Sequence, residues 1–164
     1  MRYFITFACY GTRLHGDESG SVDRRHNLVG SRRLEPDAQR VLAERREMLQ
    51  DPDVLDPAGR AVVMAAIQRH CAHRGWNLLA AHVRSNPVHV LVEAESRPER
   101  IMNEFKSYAS RELNRLGSDR PDRKRWARHG STRWLWKDED VRHAPQYVID
   151  EQGEPMALFV AEQL

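Results

Sequence analysis

The stretch WNLLAAHVRSNPVHVLVE, residues 76–93, decides the fold. Trp76 to Val83 and Val88 to Glu93 are apolar, partly β-branched runs of strand length, and Arg84-Ser85-Asn86-Pro87 between them is a short turn, so the pair reads as an antiparallel hairpin. Downstream, Ser96-Arg97-Pro98-Glu99 has the pattern of a capping box. It opens a helix carrying Ile101, Met102, Phe105, Ala109, Leu113 and Leu116 at helical spacing, with Gly117 placed to stop it. Upstream, Asp56 can cap a helix whose first turn accepts Pro57, whose apolar positions include Val62, Val63, Ala66, Ile67 and Cys71, and which Gly75 can end.

Working outward, residues 3 to 9 read as a first strand, Gly11 to Gly30 as a long irregular loop, and residues 36 to 50 as a helix. An extra edge strand near Leu14 or Val29 is an alternative. Beyond the polar, basic segment 118 to 130, Thr132 to Trp136 reads as a last strand, and Asp138 can cap a closing helix running toward Gly153. The expected class is therefore α+β: a ferredoxin-like βαββαβ sandwich with a four-stranded antiparallel sheet, one domain over residues 1–164.

Composition narrows the function classes. A chain of 164 residues with 30% charged side chains and a mean hydropathy of -0.72 describes a globular protein, and no run approaches the ~18 apolar residues of a membrane span. The opening Met1-Arg2-Tyr3-Phe4-Ile5-Thr6 reads as a strand and not as a leader. Cys9 and Cys71 lie far apart in apolar segments, which fits reduced, buried thiols in a cytoplasm. The net charge of +2 hides an uneven distribution: Arg120, Arg123, Lys124, Arg125, Arg128 and Arg133 cluster with Trp126, Trp134 and Trp136. Cations interleaved with aromatics suit a nucleic-acid strand, because guanidinium groups neutralise phosphates while indoles stack on unpaired bases. Taken alone, the stretch reads equally well as a solvated loop with core tryptophans.

The candidate chemistry lies on the third strand and the helix after it. Side chains alternate across a strand, so positions 87 and 89 share a side opposite Val88, and of those two only His89 can donate a lone pair to a metal. Tyr108 and Glu112, four residues apart, share one helix face at or inside its apolar stripe. A carboxylate there calls for a metal or a cation beside it; Arg111 or Arg115 would also serve. His82 reads as structural, and His15, His26, His70 and His73 have no metal-ligand spacing.

Asn86-Pro87-Val88-His89-Val90-Leu91-Val92 and Phe105-Lys106-Ser107-Tyr108 together resemble the single-tyrosine HUH transposases, most of all the REP-associated branch of the IS200-like family. Tyr10-Gly11-Thr12-Arg13-Leu14, Ser131-Thr132-Arg133-Trp134-Leu135-Trp136 and Tyr147-Val148 with Gln152-Gly153 also resemble family segments. The resemblance implies an enzyme that nicks and joins single-stranded DNA through a 5′-phosphotyrosine, with Tyr108 as nucleophile, His89 and Glu112 as metal ligands and Mg²⁺ or Mn²⁺ as the ion. Pro87 stands where the family has the first histidine of its pair, which implies a weakened metal site and impaired cleavage.

The partner so implied is single-stranded or hairpin DNA, met near the nucleoid by a monomer or homodimer. Candidate DNA contacts are Arg13, Lys106, Arg111, Lys124, Arg125, Arg133 and Trp134. The alternatives are a weak or inactive transposase relative that binds a DNA hairpin without cutting it, an RNA-recognition module, and a small-molecule-binding domain. Val88 to Val92 lacks the aromatics that RNA-recognition strands use, and a small-molecule domain leaves the basic stretch unexplained.

Overall fold

Five antiparallel strands form one sheet in the computed structural model, which describes residues 1–12, 14, 37–117, 120–136, 144, 146, 148–149 and 154–162. The strands are β1 (Arg2–Cys9), β2 (Asn77–Val83), β3 (Val88–Glu93), β4 (Trp126–Trp134) and β5 (Ala157–Val160), in the spatial order β4-β1-β3-β2-β5. The first four follow the expected ferredoxin-like order. β5 is an addition that pairs with β2, Val83 opposite Ala157 and Ala80 opposite Val160. β4 also starts earlier than the Thr132 expected from sequence, because residues from Trp126 onward already pair with β1 at Cys9.

Helices α1 (Ala38–Glu47), α2 (Pro57–Arg74) and α3 (Pro98–Leu116) complete the described elements. Asp56 caps α2 by accepting from the Gly59 amide at 2.6 Å, and Gly75 ends it in the left-handed region at φ 67°. The capping box expected at Ser96 does not form: the helix begins one residue later, with Arg97 at the cap position and Pro98 in the first turn. Ala144, Gln146, Val148 and Ile149 are helical, while Asp138 and Gly153 lie outside the described residues, as do Arg13 and Val29.

Alternation along the strands divides the molecule in two. Tyr3, Ile5 and Phe7 of β1 and Val88, Val90 and Val92 of β3 form one buried cluster with Val63 and Ile67 of α2 and Ile101, Phe105 and Ala109 of α3. Leu91 and Ala80 belong to a second cluster with Val148, against which Phe4, Leu135, Ala144 and Leu158 pack. Both long helices therefore cover the valine face of β3, and Ala144 and Val148 belong to the other. Truncating Phe105, which is fully buried between helix and sheet, to alanine should cost about 3–5 kcal/mol in urea unfolding. Asp56→Ala should cost about 1 kcal/mol through loss of its cap.

Candidate functional site: the His89 face and the helix groove

His89 lies in the middle of the sheet face turned away from α2 and α3. It is 4% exposed, bonded through Nδ1 to Thr6 Oγ1 at 2.9 Å and stacked on Phe4 with centroids 5.7 Å apart. Thr6 faces it from β1 and His82 from β2, so a polar row runs across three strands. Arg133 belongs to this face too, because it pairs with Phe4 across β4 and β1.

His82, also fully buried, has both ring nitrogens committed. Its Nδ1 lies 2.9 Å from the Val148 carbonyl oxygen, and the Met156 amide donates to its Nε2 at 3.1 Å. That pattern requires the neutral ring protonated at Nδ1. Burial favours the same form and lowers the pKa, with the Arg84 charge adding to it against the opposing pull of the Val148 carbonyl. The imidazole has no lone pair left for a metal, so His82 is the clasp that ties the Val148 segment and the start of β5 to the sheet.

Tyr108 is on the other side of the sheet. Its ring stacks on His70 of α2 at 4.0 Å, and the Arg111 guanidinium lies 4.8 Å from its centroid. It lines a groove of about 580 Å³ between α2 and α3 with His70, His73, Arg74, Arg100, Asn103, Glu104, Ser107 and Arg111. Glu112 is held by Arg115 at 2.6 Å and by Arg69 at 2.9 Å. The expected meeting of Tyr108 and Glu112 with His89 is therefore not found: α3 covers the valine face, and His89 points away from it.

A divalent ion shared by His89 and Glu112 does not fit this arrangement, since the sheet separates the two donors. Pro87 offers none, and His82 is saturated. Among the described residues, no group of three histidine, cysteine or acidic side chains could hold a metal.

Two of the cations expected on phosphates are structural. Lys106 is 8% exposed and its Nζ donates to the carbonyls of Ala127 at 2.9 Å and His129 at 3.2 Å, which pins β4 to α3. Burial without a carboxylate partner pulls its pKa down to about 8. Arg125 is 5% exposed, bonds Asn114 Oδ1 at 3.1 Å and lies 3.9 Å from Asp53, so it joins α3 to the segment before α2. Lys124, Arg111 and Arg133 remain at the surface. Trp134 is 40% exposed and stacked parallel to Trp136 with centroids 4.8 Å apart, its edge against Tyr3. Charge alone does not reveal the structural roles of Lys106 and Arg125, although Lys106 falls at the spacing of Met102, Ala109 and Leu113 and so inside the apolar stripe.

Residues 41–139 match the family model of the IS200-like transposases. Two solved structures are similar. One is a REP-associated tyrosine transposase bound to a REP hairpin, with 13% identity, a TM-score of 0.49 and 92% of this chain covered; the chain spans 65% of that protein's length. The other is a candidate transposase of Deinococcus radiodurans R1, with 14% identity, a TM-score of 0.46, and 93% of this chain and 90% of that one covered. No curated protein matches.

The depressed pKa of Lys106 gives a signed expectation. The amine titrates near 10.5 in the unfolded chain and about 8 in the fold, so its contribution to stability is full above the first value and lost as pH falls through the second. The stability of the parent relative to Lys106→Met should rise between pH 8 and 10.5 in urea melts. Comparing the pair cancels the opposite trend from Cys9 and Cys71, whose thiols burial pushes up to about 12. A flat difference would contradict the buried-amine account.

Proposed function

The chain belongs to the IS200-like transposase family, and on that premise we propose that it holds a folded single strand of DNA and breaks and rejoins it on the sheet face that carries His89. In this reading a tyrosine oxygen attacks phosphorus, the bond from phosphorus to the 3′ oxygen breaks, and the phenol proton ends on the freed 3′-hydroxyl. Joining is the reverse.

The reading also names the tyrosine. The chain has four, at positions 3, 10, 108 and 147. Tyr3 is buried in the helix-side core, Tyr10 lies beyond the end of β1 with its hydroxyl accepting from the Leu49 amide, and Tyr108 faces the helix groove. Tyr147 lies outside the described residues, but it is bonded to Val148, whose carbonyl sits on His82, the cross-strand partner of His89. That contact carries the assignment of Tyr147 as nucleophile in place of Tyr108. Arg133, on the same face, is the cation proposed for the scissile strand, and the exposed Trp134–Trp136 stack, on the Tyr3 side of the edge strand β4, is a platform for a flanking unpaired base.

A second reading has an observation of its own. Pro87 removes a donor and Glu112 is across the sheet, which favours a family member that binds a DNA hairpin and does not cut it. Trapping the covalent protein–DNA adduct on a hairpin oligonucleotide with Mg²⁺ or Mn²⁺ separates the two. Cleavage through Tyr147 predicts adduct from the parent and from Tyr108→Phe, and a loss of about a thousandfold or more in Tyr147→Phe. Binding with no adduct from the parent selects the second reading, and adduct lost only in Tyr108→Phe would overturn the assignment.

A further inference from the structure

We propose that the groove between α2 and α3 is a second binding site, for the sugar–phosphate backbone of a nucleic-acid strand, on the side of the sheet opposite His89. It rests on the reading of the chain as a DNA-handling protein and adds a surface to it.

The groove is laid out along one helix. Arg100, Asn103, Glu104, Ser107, Tyr108 and Arg111 recur every three or four residues and so line a single face of α3, which at ~1.5 Å per residue gives a polar track of ~16 Å. A stacked strand advances ~3.4 Å per nucleotide, so the track can run beside several consecutive phosphates. From α2, His73 and Arg74 form the opposite bank.

Charge and rigidity favour an anion. Three guanidiniums, Arg74, Arg100 and Arg111, stand against one carboxylate, Glu104. Glu104 Oε1 takes Arg100 at 2.9 Å, and its Oε2 takes Arg74 at 3.3 Å and the buried His70 at 2.8 Å. Burial works against its ionisation, yet the His70 and arginine contacts outweigh this and hold its pKa down. The carboxylate thus stays charged and fixes two arginines in place before any ligand arrives, which lowers the ordering cost of binding. Arg111 lies over the Tyr108 ring, a pairing that presents both a cation and an aromatic face, while Asn103 and Ser107 supply neutral donors. An open groove with spaced cations fits an extended polyanion better than a compact one.

The test is anisotropy of a labelled hairpin oligonucleotide with single-stranded flanks, titrated at several salt concentrations. The parent is compared with the Arg100→Gln/Arg111→Gln pair and with Arg133→Gln. Losing two single-strand phosphate contacts should make the slope of log K against log salt shallower by about 1.4, which near ~0.1 M salt is about a 25-fold loss. An unchanged affinity and slope in the double variant, with Arg133→Gln weakened, overturns the groove and leaves the DNA reading standing. A parent that binds no oligonucleotide overturns both.

Ser107→Cys provides a measurement that does not depend on removing charge. The chain's only cysteines, Cys9 and Cys71, are buried, so the introduced thiol is the one an alkylating reagent meets. Bound oligonucleotide should slow its alkylation severalfold, and an equal rate with and without DNA would refute the site.

Discussion

The alternation of side chains along β3 is the constraint on which the rest of the molecule depends. A strand at the centre of a sheet has two faces and each residue belongs to one of them. Val88, Val90 and Val92 give one face the apolar surface on which two amphipathic helices pack, and His89 is thereby committed to the other. Every later feature follows from that division: the position of Tyr108, the partners of Glu112 and the separation of the polar groove from the histidine row.

Much of this was legible in the residues. The hairpin, the caps of α2 at Asp56 and Gly75, and the stripe of α3 follow local rules that tertiary packing did not override. β5 escaped because four residues after a glycine and a proline carry little pattern, and the strand exists through its pairing with β2. The site was harder, since a shared motif says nothing of which side of a strand a helix covers. The signal was nevertheless present: an amphipathic helix packs on the more apolar face, and in VHVLVE that is the face of the three valines. A tyrosine at the margin of that helix stripe cannot reach His89.

Two cations show the same limit at the level of single residues. Lys106 and Arg125 look like phosphate ligands when only charge is counted, and both serve as internal ties to backbone carbonyls, an amide and a carboxylate. A buried lysine bonded to carbonyls is expensive to charge, and the same burial pulls its pKa down. Arg111 and Arg133, by contrast, stay in solvent on opposite sides of the sheet.

The clasp at His82 has a reach beyond packing. One neutral ring, buried and bonded on both sides, connects the tail of the chain to the strand next to His89 through Val148 and Met156. Protonating it would force the Met156 amide to face a second donor, so acid works against the attachment of the C-terminal portion. The C-terminal portion is thus fastened by a pin that only acid below the ordinary imidazole range can draw.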